Sequence, residues 1–144
     1  EMQAALGTSQ LKKIKKFNDK RNMIANFYYT HLKKLPIKLP LINKENYSSF
    51  HLFVIKVDRN IIKRSYDKIY KDLIAKGLGV NLHYLPVHLH PVFKKLGFEK
   101  GDFPISEKHA SSAFSIPVFY NLKNNELKKI VKILKKVFTK KDEK

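Results

Sequence analysis

The sequence has 144 residues, with 30 Lys+Arg against 12 Asp+Glu, a formal net charge of +18, six His, no Cys and no Trp. A hydrophobic fraction of 43% with 12% aromatics can bury the core of one compact domain and excludes a fully disordered chain. No apolar run approaches the roughly 18 residues that span a bilayer, and without Cys there is no disulfide framework, thiolate metal site or Cys nucleophile.

In chain order, residues 1–35 carry Leu6, Leu11, Ile14, Phe17, Met23, Ile24, Phe27, Tyr28 and Leu32 near a spacing of three to four, which predicts a helix with Gly7 as its weak point. No Ser, Thr, Asp or Asn caps its start and the first residue is Glu, so the chain is expected to be cut from a longer protein. Pro36 and Pro40 end the helix and open an extended stretch, and the β-branched run at 51–57 predicts a strand. Asp58 or Asn60 is the expected cap of the next helix, whose apolar face includes Ile61, Ile62, Tyr66, Ile69, Leu73 and Ile74. Gly77 closes that helix after Lys76.

Residues 80–83 then read as a short strand leading into a loop stiffened by Pro86 and Pro91. A short helix is expected over 104–113 with Phe103 and Pro104 at its start, and a brief strand over 114–117 ended by Pro117. The last helix begins near Asn124, with Glu126 in its first turn and Leu127, Ile130, Val131, Leu134, Val137 and Phe138 in one stripe. Residues 139–144 read as a frayed, charged tail. The fold class expected from this order is α+β, with three or four short strands and helices packed mainly on one face.

The kind of cation matters more than the charge itself. Of the 30 cations 27 are Lys, and only Arg21, Arg59 and Arg64 carry the planar guanidinium suited to bidentate phosphate and base contacts. The 10 Asn and 13 Ile, also residues with A/T-rich codons, point to genomic base composition as a source of lysine. A solvated basic surface is therefore favoured over a dedicated polyanion site, and a basic binding module for nucleic acid stands as the competing reading.

The densest chemistry is His83-Tyr84-Leu85-Pro86-Val87-His88-Leu89-His90, three imidazoles and a phenol on a proline-stiffened loop. A metal centre would need three or four converging ligands, and no carboxylate stands nearby in sequence. Two readings remain open: side chains that brace the loop, and side chains that contact a ligand through neutral His and Tyr. There is no GxGxxG, no GxxxxGK, no nucleophile elbow and no RNA-binding aromatic submotif.

Four stretches together resemble the DegT/DnrJ/EryC1/StrS family of sugar-nucleotide aminotransferases. They are Glu1-Met2-Gln3-Ala4-Ala5-Leu6-Gly7-Thr8-Ser9-Gln10-Leu11, Ser48-Ser49-Phe50-His51-Leu52-Phe53-Val54-Ile55, the block from Lys76-Gly77 to His83-Tyr84-Leu85-Pro86-Val87-His88, and Leu96-Gly97-Phe98 with Gly101-Asp102-Phe103-Pro104. Glu107 and Ser115-Ile116-Pro117 continue in family order. The wording of the last two stretches most resembles the subgroup acting on a UDP-4-keto-6-deoxy-N-acetylhexosamine in pseudaminic acid synthesis.

The resemblance implies a fold-type I transferase that uses pyridoxal 5′-phosphate, with the Schiff-base lysine and the other cofactor ligands upstream of Glu1, in a large domain. Residues 1–35 would then be an inter-domain helical segment and 36–144 the small C-terminal domain. His83 and Tyr84, and after them His88, match family positions bordering the substrate pocket, whereas Val92-Phe93 stands where the subgroup usually has paired tyrosines. The implied partners are a UDP-sugar, glutamate as amino donor and a second copy in a homodimer, with nucleic acid and membrane not expected. No signal-peptide pattern is present, so the implied compartment is the cytoplasm.

Overall fold

A computed structural model describes residues 1–139. In chain order the elements are α1 (Met2–Leu11), α2 (Ile14–Leu32), β1 (Ile37–Lys38), β2 (Phe53–Val57), α3 (Tyr66–Ala75), a 3-10 turn (Val87–Leu89), α4 (Pro91–Lys94), α5 (Pro104–Ala110), β3 (Ala113–Ile116) and α6 (Asn124–Phe138). The strands form one antiparallel sheet in the order β1-β2-β3. Of the tail expected over 139–144, all but Thr139 lies outside the described residues.

Alternation along β2 sets the layers. Phe53, Ile55 and Val57 are buried while Lys56 between them is exposed, the period-2 signature of a strand with one face on the core. The register places Phe53 opposite Ile116, Ile55 opposite Phe114 and Ile37 opposite Val57, so all six line the same face. Three helices close over that face through aromatic contacts. Tyr28 of α2 meets Phe53 edge-on at 5.2 Å between ring centroids, Tyr66 of α3 stacks on Phe114 at 5.6 Å, and Phe138 of α6 stacks on Phe114 at 6.4 Å. The stripe read from the α6 sequence is buried at every one of its six positions. The architecture is the expected small α+β layer with its main helices on one face.

Several local expectations needed correction. The N-terminal helix is two helices, and the break falls at Lys12–Lys13 rather than at Gly7, which sits inside α1. There the Lys13 N–H reaches back three residues to the Gln10 carbonyl, and a new ladder starts with Phe17 N–H on the Lys13 carbonyl. Lysines at 12, 13, 15 and 16 repel one another at helical spacing, and this favours the interruption. No α1 residue is buried, and Leu6, Leu11 and Ile14 of the expected stripe are exposed.

The third helix begins eight residues later than Asp58, the first expected cap. Asp58 closes its own turn instead: its carboxylate accepts the Asn60 N–H and its carbonyl accepts from Ile61 and Ile62. Ser65 is the cap, its hydroxyl accepting the Lys68 N–H at 3.2 Å. Gly77 ends α3 as expected, in a left-handed conformation (φ 76°) that lets Leu78 N–H reach the Leu73 carbonyl and Gly77 N–H the Ile74 carbonyl. Residues 80–83 do not form a strand. Only Asn81 pairs, in an isolated antiparallel bridge with Ser115, because the chain turns away before Pro86. α5 stops at Ala110, since Ser112 turns its hydroxyl onto the Lys108 carbonyl and Ala113 already belongs to β3.

Tyr28 ties the helical layer to the far end of β3. Its phenol is buried and donates to the Pro117 carbonyl at 2.6 Å. Tyr28→Phe is expected to lower the unfolding free energy by about 1 kcal/mol in urea titrations at neutral pH. Burial also holds the phenols of Tyr28 and Tyr66 above their ordinary value, Tyr66 at about 12. Because the native state favours the protonated phenol, this stability is whole below pH 10 and is lost as pH rises through about 12. Urea midpoints measured toward alkaline pH should fall, and less steeply in Tyr66→Phe. An equal fall in that variant would contradict the assignment.

Candidate functional site

The residues singled out in the sequence sit on the segment that leaves the Asn81–Ser115 bridge and runs to α5. The bridge has two backbone bonds, Asn81 N–H to the Ser115 carbonyl at 3.2 Å and Ser115 N–H to the Asn81 carbonyl at 2.9 Å. It fixes where the segment leaves the sheet. Two residues on, His83 Nε2 lies 2.8 Å from the Ser115 hydroxyl, and its Nδ1 is buried with no hydrogen-bond partner among the described residues. Both ring nitrogens of His83 are therefore turned into the protein.

Tyr84 follows across a cis peptide and is 73% exposed. Its ring stands edge-on to the His83 imidazole at 4.8 Å between centroids. Among the described residues its phenol has no hydrogen-bond partner. Of the three expected pocket residues, only Tyr84 is exposed.

His88, in the 3-10 turn, is only 6% exposed, and its Nε2 lies 2.9 Å from the Glu107 carboxylate of α5. The same carboxylate oxygen accepts the Gly101 N–H at 2.7 Å, so Glu107 clasps the turn and the Gly97–Gly101 loop together. The Phe103 ring packs on the imidazole at 4.8 Å. Beside this clasp lies an open cavity of about 290 Å³ lined by Val87, His88, Phe93, Phe98, Phe103 and Ser106. The Gly101 N–H first, and His88 second, hold the Glu107 carboxyl below its ordinary value.

The structure thus separates His83 from His88: one is tied to the sheet, the other to α5. His90 is exposed at the start of α4, where its carbonyl accepts from Phe93 and Lys94. Among the described residues no group of three or more His, Asp or Glu is placed to hold a metal ion. Sequence reading had not assigned roles to Ser115 and Glu107, although both stand in the family-like stretches. Their bonds to the loop span 32 and 19 residues, which no local pattern can reveal.

Two further observations bear on partners. Arg64 is buried, pairs with Asp72 at 3.1 Å and donates to the Val137 carbonyl, and Arg59 donates to the Arg64 carbonyl at 2.6 Å. Both guanidiniums bond within the fold, and that of Arg64 is buried away from any polyanion. Pyridoxal phosphate, in turn, needs an enclosed lysine amine and a cradle for its phosphate. Every described lysine is exposed except Lys20, which is half-buried, so the described lysines do not fit that group by themselves.

A model of the DegT/DnrJ/EryC1/StrS aminotransferase family matches residues 1–135. The erythromycin biosynthesis sensory transduction protein EryC1 of Saccharopolyspora erythraea is 31% identical over 137 residues, covering 94% of this chain and 36% of that protein. The structure of S. venezuelae DesV in complex with a ketimine intermediate superposes with a TM-score of 0.85 at 26% identity, over 98% of this chain and 37% of that one. Helicobacter pylori PseC, an aminotransferase involved in the biosynthesis of pseudoaminic acid, superposes with a TM-score of 0.83 at 27% identity, over 94% of this chain and 36% of that one. The chain spans about a third of the length of the curated relatives it matches, 36% in the first of them.

The clasp predicts a titration with a definite sign. Glu107 is held below its ordinary value, so the contribution of the clasp to stability is present above the unfolded carboxylate range and is lost as pH falls through the folded value. Carbon-detected NMR of the Glu107 carboxyl should place its midpoint below that of a free glutamate. His88→Gln should raise the midpoint only part of the way, since the Gly101 N–H remains. A midpoint unmoved by His88→Gln would mean that the imidazole does not act on this carboxylate.

Proposed function

The chain belongs to the DegT/DnrJ/EryC1/StrS aminotransferase family, and from that premise we propose that it is the small domain of a pyridoxal phosphate-dependent sugar-nucleotide aminotransferase. The proposed reaction exchanges the C4 carbonyl oxygen of a UDP-4-keto-6-deoxy-N-acetylhexosamine for an amino group. Glutamate supplies the amine and leaves as the corresponding 2-oxo acid. The likeness to PseC supports the substrate class, and the family-like loop wording supports it further. The cofactor would supply the electron sink for this exchange, held by residues outside this chain. The exposed apolar side chains of α1 fit burial against the rest of a larger, homodimeric, cytoplasmic enzyme.

The single observation that carries this reading is the arrangement of the His83–Tyr84 pair on the matched family block. A neutral phenol that can both donate and accept suits a sugar hydroxyl or a phosphate oxygen. In this reading Tyr84 contacts the sugar nucleotide, while His83 and His88 border the pocket behind it without touching the ligand. The competing nucleic-acid module is disfavoured because two of the three arginines are spent on internal contacts.

In the full-length protein, Tyr84→Ala should lower kcat/KM for the keto-sugar nucleotide by about one to two decades, and Tyr84→Phe by less. The half-reaction with glutamate should proceed as before. A folded, cofactor-loaded Tyr84→Ala enzyme with unchanged kcat/KM would overturn the contact. By contrast, the 144-residue chain mixed alone with pyridoxal phosphate and borohydride should show no specific reductive labelling. A single lysine here labelled stoichiometrically would contradict the placement of the cofactor outside it.

A further inference from the structure

We propose that Ser115 is a positioning residue for Tyr84, acting through His83. The inference rests on the reading that Tyr84 faces the sugar nucleotide. Three observations carry it. Ser115 is 6% exposed on β3, a strand in which all four residues are buried, so its hydroxyl is anchored to the most enclosed part of the sheet. That hydroxyl lies 2.8 Å from His83 Nε2, with which the imidazole is locked in one orientation. The Tyr84 ring then leans edge-on against that imidazole at 4.8 Å, with no other aromatic ring recorded against it among the described residues.

The buried Nδ1 of His83 sharpens the point. A polar ring atom without a partner is costly to bury, and the ring keeps this pose because Nε2 is held. Without the Ser115 hydroxyl both nitrogens would be unpaired, and the imidazole would turn toward solvent. Tyr84, 73% exposed, would lose its backing and sample several rotamers. Ser115 is thus the link through which the rigid sheet sets the direction of an exposed phenol. The Asn81 bridge holds the backbone of the same segment but not the ring, so the backbone and the side chain are positioned by separate bonds.

The test is made on the full-length, cofactor-loaded enzyme. Ser115→Ala should raise KM for the keto-sugar nucleotide about tenfold, leave the glutamate half-reaction unchanged and weaken binding of UDP-N-acetylglucosamine in calorimetry by a similar factor. Ser115→Thr, which keeps the hydroxyl, should restore most of both. The double variant Ser115→Ala/Tyr84→Ala should be no worse than Tyr84→Ala, because Ser115 acts only through that ring. If Ser115→Ala does not fold, Ser115→Cys, with its weaker hydrogen bond, carries the same comparison. Impairment in Tyr84→Ala with KM unchanged in a folded Ser115→Ala or Ser115→Cys enzyme would overturn the role of Ser115 alone. An unimpaired Tyr84→Ala enzyme would instead overturn the reading on which it rests. Additive losses in the double variant, or a loss confined to melting temperature, would also reject positioning through Tyr84.

Discussion

β3 is buried on both faces, and its two faces serve different purposes. Phe114 and Ile116 point into the helical layer, opposite Ile55 and Phe53, while Ala113 and Ser115 lie on the other side of the sheet. The strand cannot shift by one residue without exchanging these sets, so its register is fixed by the core. Whatever is attached to Ser115 inherits that fixity. The Asn81 bridge and the His83 imidazole are both attached there, and the loop bearing Tyr84 therefore starts from a defined point and direction.

The far end of the same segment is pinned by a different device. Glu107 uses one carboxylate oxygen for the Gly101 N–H and the His88 imidazole, joining the 3-10 turn to a helix of only seven residues. A charged acceptor with two donors is stronger than a neutral pair, which suits a region that buries little apolar surface. Between the two anchors, Leu85, Val87, Val92 and Leu96 remain exposed, as does the whole of α1. The core is closed by buried apolar side chains, whereas these surfaces are not covered by any of the described residues.

How much of this could be read from sequence depended on the range of the interaction. The α6 stripe, the β-branched run of β2, the Gly77 stop and the Pro104 start follow from periodicity, propensity and local sterics, and each was legible. The break at Lys12–Lys13 was not, because helical periodicity continues through it and only repulsion among four lysines marks it. Ser65 was passed over for Asp58, an equally good cap whose oxygens are taken by its own turn. The site divided in the same way. A short, unusual run marks His83, Tyr84 and His88, but Ser115 and Glu107 reach them across 32 and 19 residues, and only the fold brings them together. Sequence alone also could not say which of the three loop residues points outward.

In the proposed arrangement the sheet, through Ser115 and His83, aims the Tyr84 phenol at a bound sugar nucleotide. A crystal structure of the full-length protein with UDP-N-acetylglucosamine tests it most directly. The Tyr84 oxygen is expected within about 3 Å of a hydroxyl or phosphate oxygen of the ligand, with His83 Nε2 still on the Ser115 hydroxyl. A ligand seated away from Tyr84, or a His83 ring released from Ser115 to bond the ligand itself, would contradict it.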